Sequence, residues 1–463
     1  MSLRDLQQFI DLLQSRDELT RITVETNPIL EIAAITNRVC KQPGGGRALL
    51  FENPRGSRFP VATNLFGSIS RTALALGVDN LDALTAKLDG LLGQIASPEL
   101  AQLDHQIAAL PEFSRFSPLS RPPCWNDVME QPDLLTFPFL HSWPGDGTAS
   151  GHPRYSTLPQ VFTAGPDGDS PNCGMYRAQV RGPRELAIRW KPGSGAAKHL
   201  TAFQRLGQPM PVAITLGGDP AGLFSAMLPL PGALDEMTCA GFLRNAPIGM
   251  AACRTLPLRV PSHAEVVIEG LVDPTATIME GPFGNHTGYY SAAGPAALMR
   301  VTSISHQSNA IIPATVVGPP PMEDCWMAKA WERILLSFLK ILAPAVSGLH
   351  FPLEWIFHQS AIISLEMPQP GMVREIAGLL WDTPWFSAAR LLVFVDARIE
   401  PADISKVAWH AINLPDLAQS LFHDTNHKRL ALDATNSDTA QLPLTSDPAM
   451  NLQVQRRWQE YGI

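Results

Sequence analysis

Three short segments of the sequence place polar side chains among glycines and aromatic residues. They are Asn172–Arg177 (NCGMYR), Arg189–Gly195 (RWKPGSG) and Glu280–Tyr290 (EGPFGNHTGYY). The guanidinium groups of arginines, together with backbone N–H groups that glycines leave accessible, can bind phosphate or carboxylate oxygens. A glutamate can hold or transfer a proton. Structural explanations stay open at this point, because an arginine also serves surface ion pairs, a glutamate serves turns and paired tyrosines serve cores.

Other catalytic signatures are missing from the sequence. It contains no GxxxxGK[ST], GxSxG or HExxH motif, and the run Gly44–Gly46 follows no strand, which makes it weak as a phosphate loop. The six cysteines are far apart and form no CxxC pair. This spacing predicts free thiols in a reducing cytosol.

The elements that must position these segments change character along the chain. Residues 1–110 mix helical and strand patterns, residues 111–310 show short strands between proline-rich turns with one helix near 233–244, and residues 311–463 return to helices and buried strands. We therefore predict an α/β multidomain chain with a barrel or sandwich in the middle. The predicted C-terminal elements are strands at 310–317 and 389–395 and helices at 323–342, 370–380, 402–413 and 448–461.

Composition excludes several classes of function. The 463 residues are 45% hydrophobic and 17% charged, with a net charge of −8 and no basic stripe, which argues against nucleic acid as a partner. No apolar stretch is long enough to span a membrane, and the charged amphipathic start does not read as a signal peptide. We expect a cytoplasmic protein.

Taken together, the quoted segments resemble the UbiD family of decarboxylases, which use prenylated FMN. The resemblance starts at Ala48–Gly56 and Asn64–Gly67, runs through the three segments and Leu216–Pro220, and ends at Leu432–Asn436. It implies an N-terminal α/β region, a central FMN-binding split β-barrel and a C-terminal α/β domain with a terminal helix. It also implies a homo-oligomer, dimeric or larger, assembled through the C-terminal region.

The resemblance also implies a cofactor and metal site. Asn172 and Glu236 match two of the three family ligands of a divalent metal, Mn²⁺ or Mg²⁺, beside the cofactor phosphate, and a nearby K⁺ is common in the family. The third ligand, a histidine, is replaced by Gly193, and His199 could serve only if the loop runs differently. The positions that match cofactor-binding residues are Asn172, Met175, Tyr176, Arg177, Arg189, Trp190, Lys191, Ser194, Gly195, Glu236 and Arg429.

The catalytic positions implied by the resemblance are Arg177, Glu280 and Asn285. Relatives carry a carboxylic acid where this chain has Asn285, and that acid returns the proton that replaces CO₂. An amide cannot donate this proton at neutral pH, so His286, Tyr289 or a water held by Asn285 would have to substitute. A loop near residues 421–426 is also shorter than in relatives.

Two functions follow from the resemblance. The first is reversible decarboxylation of an aromatic, heteroaromatic or α,β-unsaturated carboxylic acid, with prenylated FMN supplied by a flavin prenyltransferase. The alternative is a catalytically impaired flavin-binding or scaffold subunit that partners an active relative, as the changes at Gly193 and Asn285 would permit.

Overall fold

A computed structural model describes the chain over residues 3–95, 105–107, 109–110, 117–119, 122–168, 170–228, 234–357, 359–414, 416–424, 428–435, 444 and 446–462. The helices are α1 (Leu6–Ser15), α2 (Glu31–Cys40), α3 (Ile69–Ala75), α4 (Asp82–Leu92), α5 (Gly195–Leu206), α6 (Pro220–Ser225), α7 (Glu236–Arg244), α8 (Glu323–Leu342), α9 (Met372–Trp381), α10 (Ile404–Ile412) and α11 (Pro448–Arg456). The strands are β1 (Leu19–Thr26), β2 (Ala48–Pro54), β3 (Val61–Thr63), β4 (Ser117–Pro118), β5 (Asp127–Val128), β6 (Tyr155–Ser156), β7 (Pro159–Ala164), β8 (Pro171–Gly174), β9 (Ala178–Gly182), β10 (Glu185–Ile188), β11 (Met210–Leu216), β12 (Gly249–Ala252), β13 (Arg259–Pro261), β14 (Val266–Glu280), β15 (Phe283–Gly284), β16 (Tyr290–Ser291), β17 (Gly294–His306), β18 (Ile312–Pro313), β19 (Val346–His350), β20 (Ser360–Leu365), β21 (Leu391–Asp396), β22 (Leu421–Asp424) and β23 (Arg429–Ala434).

The described strands form one large central sheet, two smaller mixed sheets, a three-stranded sheet (β13-β12-β4) and the β15–β16 hairpin. The N-terminal sheet has the order β1-β2-β3-β18, and the C-terminal sheet has the order β19-β20-β21-β23-β22. The central sheet has the order β6-β9-β10-β17-β14-β11-β7-β8, with β5 paired to β17. All pairs in the central sheet are antiparallel, whereas β20, β21 and β23 run parallel, which is typical of an α/β layer.

The central sheet curls so that its two ends approach each other. β8 ends the strand order and β9 lies next to the other end, yet only Met175–Arg177 connects them. Because a residue spans at most about 3.6 Å, this link can bridge only a narrow gap. One buried cluster draws side chains from β7, β9, β10, β11, β14 and β17, as expected for a shared interior. The curl fits the predicted split barrel, and Asn172–Arg177 crosses the split.

The outer layers share a second, larger core. Helix α8 packs against α3, α4 and β19, so that it joins the N-terminal and C-terminal layers. Leucines and phenylalanines of α1 and α4 and the inner faces of β20 and β21 belong to the same buried cluster. Burial of this apolar surface, at about 25 cal/mol per Å², holds the layers around the central sheet.

Several local predictions needed correction. The described residues of the central segment contain three α-helices, α5, α6 and α7, where one helix was predicted. The strand predicted at 310–317 is only β18, and it pairs in parallel with β3 of the N-terminal sheet. Alternation of large apolar residues with smaller or polar ones predicts a strand over Glu185–Lys191, but β10 ends at Ile188, which releases Arg189–Lys191 from the ladder. In short stretches rich in glycine and proline, the ends of helices and strands are set by capping and by tertiary pairing, so the sequence pattern alone does not predict them.

The remaining composition-based predictions are partly tested. All six cysteines are buried free thiols, as predicted. No helix in the described part of the chain combines the length and apolarity needed to cross a bilayer.

A buried glutamate in the central sheet predicts a specific pH dependence of stability. Glu265 is 2% exposed, and one carboxylate oxygen accepts a hydrogen bond from the Ile311 N–H (3.0 Å) while the other has no described partner. Burial raises its pKa to about 8. Because the folded pKa lies above the unfolded value, stability is fully present below about pH 4.5 and falls as pH rises to 8, by roughly 4 kcal/mol.

We therefore expect Glu265→Gln to flatten the dependence of unfolding free energy on pH between 5 and 8. Urea denaturation at four pH values measures this slope in the wild type, in the variant and in the exposed control Glu130→Gln. The control should keep the wild-type slope. Identical slopes in all three proteins would contradict the prediction.

Candidate active site

A buried carboxylate and an arginine fork form the centre of the site. Nε of Arg177 donates to Oε1 of Glu280 at 2.8 Å, and Nη2 donates to Oε2 at 3.0 Å. Glu280 is fully buried, whereas 24% of the Arg177 side chain remains exposed. A bidentate pair of this kind fixes both groups in one geometry. The exposed edge of the guanidinium leaves it able to contact a second carboxylate.

Neighbouring elements hold this pair in place. Glu280 is the last residue of β14 and lies opposite Gly294 of β17. Arg189 follows β10, donates to the Ala292 carbonyl at 2.8 Å and lies 3.6 Å from Glu280. The Arg177 guanidinium also stacks 4.6 Å from the ring centre of Phe283. Two cations thus flank one buried carboxylate and compensate its desolvation.

The sequence analysis missed two residues that support the Glu280 turn. Asp146 is 1% exposed and accepts hydrogen bonds from the backbone N–H groups of Gly284 (2.7 Å) and Trp143 (2.9 Å). The Tyr155 ring packs 4.8 Å from that of Phe283, and its hydroxyl donates to the Pro282 carbonyl. The stretch from Trp143 to Gly147 combines glycine, an aromatic residue and an acid, as the three quoted segments do. This composition could have indicated Asp146 as a site residue.

Asn285 is engaged in a turn of the β15–β16 hairpin. Its Oδ1 accepts from the backbone N–H (2.8 Å) and the hydroxyl (2.7 Å) of Thr287, and its carbonyl accepts from Gly288 N–H. Asn285 and His286 therefore lie at a turn and not on an extended segment, on which adjacent side chains would point to opposite faces. Burial and nearby Lys191 lower the pKa of His286 to about 4, so this imidazole is neutral at pH 7.

The two predicted metal ligands lie side by side where β8 meets α5 and α7. Glu236 is the first residue of α7, and its Oε2 accepts from the Cys173 N–H at 3.0 Å, next to Asn172. The Tyr176 hydroxyl bonds to the side chains of Asn172 and Ser194, and burial raises its pKa. Ser194 caps α5, and a Cβ at Gly195 would lie 2.0 Å from Oδ1 of Asn172. Only glycine allows this close approach of helix and strand.

The donor set fits a hard divalent cation in part. Burial raises the pKa of Glu236 to about 8, and no described cationic side chain pairs with it. A cation bound there would supply the missing countercharge. In the described residues no cluster of three His, Cys, Asp or Glu side chains surrounds such an ion, so cofactor and water oxygens would have to complete the shell. His199 bonds to Thr163 and does not lie in a ligand cluster.

The residues that follow β10 include a buried polar atom without a described partner. Nε1 of Trp190 is buried and has no partner among the described residues, while Lys191 is exposed. Met175 is tied by its N–H to the Ala226 carbonyl at 2.8 Å. An unpaired buried donor beside cations and a helix N-terminus fits a phosphate-bearing group that carries acceptors.

Arg429 is placed apart from these residues. It begins β23 in the C-terminal sheet, and its guanidinium lies 5.7 Å from the ring centre of Trp381. No contact described for the chain joins it to Asn172, Arg177 or Glu236. Of the residues that the resemblance implied, the structure therefore groups those on the central sheet, α5 and α7, and leaves Arg429 outside. Asn436, which ended the quoted motif, lies outside the described residues.

Comparison with protein families covers nearly the whole chain. Models of the 3-octaprenyl-4-hydroxybenzoate carboxy-lyase match in three parts: the N-terminal domain at residues 10–88, the Rift-related domain at 117–320 and the C-terminal domain at 325–446. An uncharacterised protein of Archaeoglobus fulgidus is 36% identical over 424 residues, 91% of this chain and 86% of its own length. One of Synechocystis is 33% identical over 99% of this chain and 96% of its own length.

Solved structures with the same fold include enzymes. An evolved dimeric form of the UbiD-class enzyme HmfF from Pelotomaculum thermopropionicum, in complex with prFMN, has a TM-score of 0.82 at 25% identity and covers 97% of this chain and 98% of its own. Vanillic acid decarboxylase of Sedimentibacter hydroxybenzoicus in closed form has a TM-score of 0.85 at 23% identity, covers 100% of this chain and 99% of its own, and shows the shared fold.

Proposed function

Since the chain belongs to the UbiD family of carboxy-lyases, we propose that it is a prenylated-FMN-dependent decarboxylase that runs reversibly on an aromatic, heteroaromatic or α,β-unsaturated carboxylic acid. The observation that carries the proposal is the bidentate Arg177–Glu280 pair, with a buried carboxylate and a partly exposed guanidinium. The prFMN complex of HmfF supports the choice of cofactor.

The cofactor would be held where the strands, α5 and α7 converge. Arg189, Lys191, Ser194 and Gly195 would hold the phosphate side, with Trp190 donating from its unpaired Nε1. Asn172 and Glu236 would hold Mn²⁺ or Mg²⁺, with K⁺ as a second cation at the site. Met175 and Tyr176 would complete the contacts on the central sheet, and Arg429 is a further candidate that lies on the C-terminal sheet. When bound, prenylated FMN supplies an electron sink for the loss of CO₂.

Arg177 and Glu280 would act on the substrate in complementary ways. The exposed edge of the Arg177 guanidinium would bind the substrate carboxylate and orient it. Glu280 would hold that guanidinium in position and keep the site's charge balanced. The apolar rings of Phe283 and Tyr155 beside the pair would exclude water.

Return of the proton sets this chain apart from the family pattern. Asn285 has no acidic proton, and its Oδ1 is occupied by Thr287. His286 is neutral at pH 7 because its pKa is about 4, so it is a weak substitute. We propose that a water molecule beside Asn285 donates the proton. The amide N–H₂ of Asn285 can orient this water. A flavin prenyltransferase would supply the cofactor, and the chain would work in the cytoplasm as a homo-oligomer.

The decisive experiment is mass spectrometry of small molecules released from purified protein. The chain is co-expressed with a flavin prenyltransferase and kept free of oxygen. We expect near-stoichiometric prenylated FMN with a divalent metal, and CO₂ release from at least one member of a panel of aromatic and unsaturated carboxylic acids. Empty protein, or protein with ordinary FMN only, would contradict the proposal.

A second candidate function rests on the changes at Gly193 and Asn285. A chain that binds flavin without turnover would serve as a scaffold or partner subunit of an active relative. The same experiment separates the two, because loaded cofactor without CO₂ release from any acid in the panel favours the partner role.

A further inference from the structure

The metal-ligand candidate Asn172 has a partner directly across the sheet. Thr163 of β7 pairs in register with Asn172 of β8 in an antiparallel ladder. Directly opposed residues put their side chains on the same face, about 4.5–5.5 Å apart at Cβ. Helix α5 covers that face, with Gly195 against Asn172 and His199 one turn further along. The four residues thus form one packed layer.

A chain of hydrogen bonds runs through this layer. Nδ2 of Asn172 donates to Oγ1 of Thr163 at 3.4 Å, and Oγ1 lies 2.9 Å from Nδ1 of His199. Nε2 of His199 lies 3.5 Å from the hydroxyl of Ser170. Thr163 is 2% exposed, so solvent does not compete for its hydroxyl.

The direction of each hydrogen bond in this series follows from which atoms can donate. The amide nitrogen of Asn172 can only donate, so it takes a lone pair of the Thr163 oxygen. The single Thr163 proton is then free for Nδ1 of His199, which accepts when the ring is the neutral Nε2–H tautomer. That tautomer donates onward to Ser170. The Asn172 oxygen is consequently turned away from Thr163.

We propose that Thr163 and His199 are positioning residues that fix the amide orientation of Asn172, so that its oxygen and not its nitrogen faces a bound divalent cation. The proposal deepens the proposed function, because it concerns the cation beside the cofactor phosphate. In this proposal His199 acts by orienting the Thr163 hydroxyl and is not a metal ligand. The position of the family's histidine ligand is taken by Gly193 in this chain. A flipped amide would present N–H₂ to the cation and repel it.

The test is Mn²⁺ binding, followed by the electron paramagnetic resonance signal of free Mn²⁺, in full-length protein with added FMN. We expect Thr163→Val, which keeps the shape and removes the hydroxyl, to weaken Mn²⁺ binding about 10–100-fold. Thr163→Ser restores the hydroxyl and should stay within about threefold of wild type. Thr201→Val, on an exposed position of α5, should have no effect.

A double-mutant cycle distinguishes positioning from general damage. If Thr163 and His199 act as one unit, His199→Leu and the double variant should weaken binding as much as Thr163→Val alone. Additive losses, or equal affinity of Thr163→Val and wild type, would overturn the inference. So would wild type that binds no Mn²⁺ in the presence of FMN. Loading with prenylated FMN and release of CO₂ are scored separately, so the proposed function stands or falls by its own result.

Discussion

We expect Glu280→Gln to lower CO₂ release from a reactive acid by about 10²-fold, the effect typical of a misplaced group that orients the substrate. Glutamine has the shape of glutamate but no charge. The bidentate pair with Arg177 would then lose one charge-assisted contact, and a carboxylate would no longer compensate the guanidinium. The measurement is initial CO₂ release by protein carrying equal amounts of prenylated FMN.

A matched control separates the role of Glu280 from loss of an ion pair in general. Glu185→Gln removes the partner of Arg300 (3.6 Å) in the same sheet, at a more exposed place. We expect its activity to stay within about twofold of wild type, because exposed pairs contribute little. Full activity of Glu280→Gln, or equal losses in the two variants, would contradict the assignment of Glu280 to the site.

The second expected result concerns the missing acid at position 285. Asp273 already shows what an aspartate does in this local geometry. Its Oδ1 accepts from the N–H (2.9 Å) and the hydroxyl (2.7 Å) of Thr275, as Asn285 accepts from Thr287. Hydrogen bonds from Thr275 lower the pKa of Asp273. An aspartate at 285 would therefore stay ionised and could not donate a proton at pH 7.

We accordingly expect Asn285→Asp to leave the decarboxylation rate within about threefold of wild type, and Asn285→Glu to raise it about 10²-fold, at the lower end of acid catalysis. The longer glutamate carries its carboxyl one methylene beyond the turn, where Thr287 does not hold it. Position 285 is half-buried, and without the hydrogen bonds from Thr287 this burial would raise the pKa of the glutamate, so that a larger fraction carries the proton near pH 6. The readout is the turnover number between pH 6 and 8, together with the rate of solvent deuterium incorporation into the product.

A control variant and a contrary outcome complete this test. Thr287→Val combined with Asn285→Asp removes the hydroxyl that holds the new carboxylate, and it should recover part of the gain seen with glutamate. A loss of existing activity in Asn285→Glu would show that the asparagine is adapted to its substrate, and would contradict the prediction.

Much of the fold could be predicted because it rests on local patterns. The long helix α8 coincides with its prediction at 323–342, since apolar residues recur at helical spacing over five turns. The buried strand β21 was likewise visible as a continuous apolar run. Helix α5 was missed because its start, Ser194–Gly195, belongs to a glycine-rich stretch that reads as a loop.

The site divides in the same way. The resemblance to the family, carried by short motifs in order along the chain, was sufficient to identify Arg177, Glu280 and Glu236 as candidates and to show that Asn285 and Gly193 depart from the family pattern. Which groups meet depends on non-local packing. Arg177 and Glu280 are 103 residues apart, and only the curl of the central sheet brings them within 3 Å. The hydroxyl of Thr163 beside Asn172, the carboxylate of Asp146 behind Gly284 and the turn that occupies Asn285 likewise follow from strand register and burial, which no short segment of sequence encodes.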